Sequence, residues 1–260
     1  MPADVTDSFV PVPGGEIFVR RWQMETAKRA PIVLLHDSLG SVELWRDFPA
    51  ALADATGRSV IAYDRLGFGN STPRTDSPSA RFILEESDVY FPALRDALNL
   101  TRFSLFGHSV GGAMALTIAA RQSRGCESVI AESAQAFVEQ RTLDGIGAAS
   151  LAFGDPIQFA RLSKWHGERT RWVLDAWIDV WLSADFSDWS LDPYLADVGC
   201  PVLSIHGDRD EYGSVEFPRR ISSGVSGPST MTVLADCGHV PHRERLSEVL
   251  RLATEFLAGP

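Results

Sequence analysis

The sequence predicts an α/β protein built on a mostly parallel sheet, and three observations carry that prediction. Short apolar runs without polar alternation, such as Pro31–Leu35 and Phe103–Phe106, fit strands that are covered on both faces. These runs alternate with longer helical stretches, the rhythm of βαβ units. One segment, Arg102 to Arg121 (RFSLFGHSVGGAMALTIAAR), carries strand, turn and helix signals in immediate succession.

The length of 260 residues suits one large domain with an insertion. Hydrophobic residues at 45% and charged residues at 22% match ordinary globular usage, which rules out a disordered or fibrous chain. A formal net charge of -10, with no basic stripe, argues against nucleic acid and against an anionic membrane surface as partners. The opening MPADVTDSFV lacks a cationic segment followed by an apolar one, and no apolar run is long enough to span a bilayer. The expectation is a cytoplasmic protein acting on a small molecule, with its oligomeric state left open. Cys126, Cys200 and Cys237 stand far apart and lack the close spacing of a zinc or redox motif, so they are expected to be reduced and structural.

Taken in order, Ser8 to Trp22 alternates loosely and breaks at Pro13-Gly14-Gly15, which predicts an edge hairpin. Pro31–Leu35 is the first buried strand. Helix signals run from Trp45 to Ala55, a strand from Ser59 to Tyr63, and a turn-rich segment from Asp64 to Ser71. Residues 84–98 read as a helix and Ser128 to Ala131 as a strand ending at Glu132. The spacing is then helical from Val138 to about Trp189, which predicts an insertion over 134–190 between core segments 1–133 and 191–260. Strand rhythm returns at Pro201–Ile205 and Thr230–Leu234, and Pro241 to about Leu257 closes the chain as one helix.

The segment around Gly107-His108-Ser109-Val110-Gly111 carries the chemistry. A serine on a sharp strand-to-helix turn is lifted above its surroundings, and the crossing of strand and helix leaves room only for glycine two residues to either side. The helix behind it starts with N–H groups that have no internal partner, so the N–H of Val110 is a ready oxyanion donor. Without that local context the same pattern would be only a small-residue helix packed on a sheet. A serine needs a base, and the base a carboxylate. Two late loops at the same sheet end offer them: His206-Gly207-Asp208-Arg209-Asp210-Glu211 and Asp236-Cys237-Gly238-His239-Val240-Pro241-His242.

The chain here resembles the α/β-hydrolase superfamily over nearly its whole length. The resemblance rests on Leu35-His36 and its loop, Asp64 to Ser71, Gly107 to Gly111, Gly207 to Asp210, and Gly238 to His242. It implies Ser109 as nucleophile, Asp210 as acid, His239 as base, and the N–H of Ser38 as second oxyanion donor beside Val110. Asp208, Glu211 and Glu132 remain rival acids. His242 is expected to be solvated and dispensable for activity, His108 to point away from Ser109, His36 to brace its loop, and His166 and His206 to be ordinary polar residues.

One departure from the superfamily it resembles is Asp37, where members commonly have glycine directly after the histidine. It is expected to bond nearby backbone, and its charge predicts a preference for neutral over carboxylate-bearing esters. On a helix from Arg169 to Leu182, Trp172, Ala176 and Val180 share one face, and Trp177 with Trp181 another. This predicts Trp172 in the core and Trp177 and Trp181 lining a pocket beneath a helical cap.

The resemblance thus implies a serine hydrolase of a small carboxylic ester, with no metal or cofactor. Alternatives on the same triad are hydrolysis of a carbon–carbon bond in a vinylogous diketone, and of a lactone or thioester. An alternative of another class is a small-molecule binding protein. Dehalogenase and epoxide hydrolase chemistry would need aspartate at Ser109.

Overall fold

The computed structural model describes residues 3–25 and 27–259. Its strands are β1 (Asp4–Val12), β2 (Gly15–Gln23), β3 (Ile32–Leu35), β4 (Val60–Tyr63), β5 (Phe103–His108), β6 (Cys126–Glu132), β7 (Val202–Gly207) and β8 (Ser229–Leu234). Its helices are α1 (Phe48–Thr56), α2 (Phe82–Glu85), α3 (Phe91–Ala97), α4 (Val110–Arg121), α5 (Gln140–Ala152), α6 (Pro156–His166), α7 (Thr170–Trp181), α8 (Asp192–Leu195), α9 (Glu216–Gly224), α10 (Pro241–Glu244) and α11 (Leu246–Ala258).

The eight strands make one sheet in the order β1-β2-β4-β3-β5-β6-β7-β8. The hairpin β1–β2 is antiparallel and joins β4 antiparallel, and every pairing from β4 to β8 is parallel. The central strands β3 to β7 are buried almost throughout, as their uninterrupted apolar runs require. One apolar layer packs α3, α4, α8 and α9 against one sheet face, and a second packs α1 and α11 against the other. Because β3, β5, β6, β7 and β8 point the same way, the loops after all of them open at one end of the sheet.

The structure departs from the sequence reading in several places. The closing helix is two helices. Arg245 leaves helical geometry at φ -135 and ψ 44, and its guanidinium bonds the carbonyls of Ala235 and Asp236. The separate first turn thereby folds inward and buries His242. The helix expected over 84–98 widens at Glu86–Tyr90 into a π turn, where buried Glu86 accepts from the Tyr63 hydroxyl at 2.6 Å. Helix α9 has no counterpart in the sequence reading, since Phe217, Pro218 and Ile221 are its only buried positions and give too short a pattern. Finally, two of the three dispersed cysteines are not dispersed in space: Cys126 Sγ and Cys200 Sγ lie 3.9 Å apart.

Candidate active site

At the end of β5 the backbone turns sharply, and Ser109 takes up φ 58 and ψ -125 before α4 begins at Val110. A non-glycine residue at positive φ outside the helical wells is strained. The strain is held by close packing on both sides. A side chain at Gly107 would run into the carbonyl of Gly111, and one at Gly111 into the carbonyl of Leu35. As the first residue of α4, Val110 has an N–H with no intrahelical acceptor.

The late loops deliver two of the expected partners. His239 Nε2 lies 2.9 Å from Ser109 Oγ, and His239 Nδ1 lies 2.9 and 2.8 Å from the two oxygens of Asp210. Asp210 also accepts the N–H groups of Tyr212 and Gly213, at 2.8 and 3.1 Å. Burial alone would raise its carboxyl pKa, but the adjacent His239 and these hydrogen bonds outweigh burial and hold it below the usual carboxylate range. An ionised Asp210 fixes the tautomer: Nδ1–H donates to it, and Nε2 is left to accept from the serine. Ser109, Asp210 and His239 are 3%, 1% and 9% exposed, so the array is shielded from bulk water. The rival carboxylates are placed elsewhere. Asp208 accepts from the N–H of Cys237 at 3.3 Å, and Glu211 is exposed.

The loop carrying Ser38 is braced from three directions. His36, whose pKa burial pushes well down, is neutral, so its Nδ1–H donates to the Asp37 carbonyl at 2.8 Å and its Nε2 accepts the Arg65 N–H at 3.1 Å. The Arg65 guanidinium donates to the same carbonyl at 2.9 Å. His166, at the end of α6, accepts from the Gly69 N–H at 3.1 Å and donates to the Leu39 carbonyl at 2.9 Å. His166 is therefore more than the ordinary polar residue expected: it ties α6 to two core loops.

Asp37 bonds backbone as expected, with Oδ1 accepting the Leu39 N–H at 2.8 Å. Its other oxygen lies 3.3 Å from His108 Nδ1. Burial would raise the Asp37 carboxyl, but His108 dominates and holds it well below its usual range. Burial would likewise lower His108, yet Asp37 and the neighbouring carboxylate and carbonyl raise its pKa. The His108 ring turns away from Ser109 and its Nε2 lies 2.8 Å from the carbonyl of His239. The Asp37 carboxylate thus lies against the His108 ring, which offsets its charge when that ring is protonated.

The expectation of a solvated His242 is corrected. It is buried against Trp45, Phe48 and His108, with ring centroids 4.8, 5.1 and 5.0 Å away, and its Nδ1 lies 2.5 Å from Glu132 Oε2. Burial lowers its pKa despite that carboxylate, so the neutral ring donates to Glu132. Ligating atoms of His108, Glu132 and His242 lie within 4.8 Å of one another. The 2.5 Å separation within the pair is nevertheless a hydrogen bond, shorter than two ligands of one ion take.

A cavity of about 310 Å³ opens over Ser109 and His239, walled by Leu39, Ile146, Phe153, Leu162, Trp177 and Tyr212. Arg161 and Arg243 also line it, and among the described residues neither has a carboxylate within 4.0 Å. Trp177 lines this cavity, but Trp181 does not. Trp181 is 1% exposed, packs on Phe186 and Trp189 with centroids 4.9 and 5.7 Å away, and reaches a smaller recess beside Arg65 and Glu86. Trp172 is only partly buried: its Nε1–H donates to the Asp76 carbonyl at 2.9 Å and its ring meets Phe68 edge-on.

Two residues at the site escaped the sequence reading. Gln135 is buried and its Nε2 donates to Ser109 Oγ at 3.0 Å. Its position in the loop after β6, at the same sheet end as Ser109, was the available signal. Tyr212 stands edge-on to His239 with centroids 4.8 Å apart, between that ring and Trp177.

Comparison with known proteins points the same way. A family model for the alpha/beta hydrolase fold matches residues 30–167. A proline iminopeptidase of Lactobacillus delbrueckii subsp. lactis is 31% identical over 130 residues, 50% of this chain and 44% of that protein. The match to it thus spans less than half of that relative's length. A 2-hydroxy-6-oxo-2,4-heptadienoate hydrolase of Pseudomonas putida is 26% identical over 263 residues, covering 88% of this chain and 89% of its own. The crystal structure of the proline iminopeptidase of Mycobacterium smegmatis superposes with a TM-score of 0.74 at 25% identity, covering 97% of this chain and 98% of that one.

Proposed function

The chain belongs to the α/β-hydrolase fold family, and from that premise we propose that it is a serine hydrolase forming an acyl-enzyme on Ser109 with a small ester-like substrate. The observation that carries the reading is the unbroken chain of hydrogen bonds from Asp210 through His239 to Ser109 Oγ, at 2.8 and 2.9 Å, on the floor of the cavity.

As Oγ attacks the carbonyl carbon, His239 Nε2 takes its proton, and Asp210 stabilises the imidazolium that results. The carbonyl oxygen gains the electron pair and receives the N–H groups of Val110 and Ser38. Collapse expels the alcohol, which takes the proton from Nε2. A water then gives a proton to Nε2, attacks the acyl carbon and releases the acid, restoring Ser109. Gln135 donates to Oγ before attack, at 3.0 Å, and fixes its direction. Residues 134–190 serve as the cap, with Trp177 on the pocket wall.

A second reading is favoured by one comparison, since the match to the Pseudomonas putida hydrolase runs along most of both chains. That reading is hydrolysis of a carbon–carbon bond next to a carbonyl, in which the leaving group departs as a carbanion equivalent rather than an alkoxide. Purified protein should be offered short-chain aryl esters, lactones and vinylogous diketones. Ser109→Ala, Asp210→Asn and His239→Ala should each lower kcat by at least ~10³ with the fold intact, and a fluorophosphonate should label Ser109 alone. Turnover by Ser109→Ala at the wild-type rate, or labelling at another residue, would overturn the assignment. Labelling without turnover of any member of the panel would favour a binding protein.

A further inference from the structure

The end of the sheet opposite the triad holds two thiols for which the proposed reaction has no use. Cys126 is the first residue of β6, and Cys200 immediately precedes Pro201 at the start of β7. The Val129 N–H donates to the Pro201 carbonyl at 2.9 Å and fixes the two strand starts side by side. This brings the sulfurs of residues 74 apart in sequence to 3.9 Å. Cys126 is 8% exposed and Cys200 half-buried, so one thiol of the pair meets solvent and the other stands behind it. Cys237 is fully buried in the opposite apolar layer, and no thiol lies against it among the described residues.

We propose that Cys126 and Cys200 form a modification site, a dithiol that a peroxide converts into a disulfide. The contact with Cys126 sulfur holds Cys200 below its ordinary pKa, and Cys200 is the thiol of the pair that meets solvent. Cys200 is therefore the attacking thiolate. Its sulfur displaces hydroxide from hydrogen peroxide and becomes a sulfenic acid. Cys126 sulfur then attacks Cys200 sulfur, the S–O bond breaks, and the thiol proton leaves with the hydroxyl group as water. Two thiols and one peroxide give one disulfide and two waters. To bond, the sulfurs must close from 3.9 Å to the ~2.05 Å of a disulfide. The bond would close a loop holding α5, α6, α7 and α8, tying the start of β6 to the point where the chain rejoins the sheet at β7. Its position at the strand starts keeps it roughly 20 Å from Ser109, the length of a strand of this size.

The test treats the purified full chain with a modest excess of hydrogen peroxide, unfolds it, and labels free thiols with a maleimide. Wild type should lose two hydrogens in intact mass, take one label instead of three, and yield a peptide linking Cys126 to Cys200. Its apparent Tm should rise by about 5 °C or more, as a long closed loop predicts, and fall back on reduction with dithiothreitol. In Cys126→Ser the sulfenic acid has no resolving thiol, so dimedone should trap it at Cys200. In Cys200→Ser no crosslink should form. Three labels on peroxide-treated wild type, a linkage involving Cys237, or oxidation of Cys200 to the sulfinic acid without crosslinking would each overturn the proposal. Peptide mapping of wild type decides the matter even where a serine variant fails to fold. Turnover at Ser109 enters none of these readings.

Discussion

Replacing His242 by alanine tests the buried layer behind the triad. The neutral imidazole donates to Glu132 Oε2 at 2.5 Å, and Glu132 Oε1 has no partner among the described residues. Both side chains are buried, so water cannot replace the lost donor without opening the cluster with Trp45, Phe48 and His108. A buried carboxylate stripped of its partner costs about 3 kcal/mol, which for a chain of this size lowers Tm by about 6 to 12 °C. Changing Glu132 to glutamine in the same protein replaces the stranded charge by a neutral amide and should restore about 1 to 2 kcal/mol of that loss. Thermal and urea melts of wild type, His242→Ala, Glu132→Gln and the double variant measure the coupling. His242 does not touch Ser109 Oγ, so kcat of the folded His242→Ala should stay within about tenfold of wild type. A His242→Ala protein that melts within ~1 °C of wild type would falsify the stabilising role. A ~10³ loss of kcat at unchanged Tm would instead place His242 in the proton transfer.

Three further outcomes follow from the site. Trp177→Ala should shift the preferred acyl or alcohol length with a modest change in Tm, whereas Trp181→Ala should cost about 3 to 5 kcal/mol and leave the preference of the folded fraction unchanged; melts and kcat/KM across an ester length series separate the two, and the reverse pattern refutes the placement. Arg161 and Arg243 face the cavity without carboxylate partners, so a matched carboxylate-bearing ester should be favoured over its neutral analogue. Arg161→Gln or Arg243→Gln should each reduce that ratio of kcat/KM by about tenfold at low salt, since unit charges about 6 Å apart attract by ~3 kcal/mol at an effective dielectric of 20, before solvent screens them; a ratio that neither substitution moves sinks the idea. The Asp37–His108 pair makes stability depend on pH from both sides. The depressed Asp37 adds stability that is present above its unfolded pKa of about 4 and lost as pH falls through the folded value. The raised His108 adds stability that is present below its unfolded pKa of about 6.5 and lost as pH rises through the folded value. The Tm difference between wild type and Asp37→Asn should therefore be greatest near pH 5 to 6 and shrink as pH rises through the raised His108 value, and a difference that is flat with pH contradicts the pairing.

What could be read along the chain was what its near neighbours enforce. Apolar runs too short for helices and too continuous for half-exposed strands fixed a parallel sheet, and the turn at Ser109 was legible because Gly107 and Gly111 are demanded by contacts within a few residues and one adjacent strand. The same locality leaves the Val110 N–H free at the start of α4. The sequence offers candidates for a base and an acid in two late loops, and only the family resemblance implies His239 and Asp210 among them. The chain order by itself could not separate His239 from His242, three residues apart, nor Asp210 from Asp208 or Glu132.

Tertiary structure decided those pairings. Glu132 and His242 take each other, which leaves His239 for Asp210 and Ser109. Gln135 reaches Ser109 only because β6 lies beside β5, and Asp37 gains an imidazole neighbour only because His108 lies 3.3 Å from it. The dispersed cysteines become a pair through the register of β6 against the start of β7. Burial forces each polar group to find a partner, while strand register, set by apolar contacts far away in sequence, determines which partner is within reach.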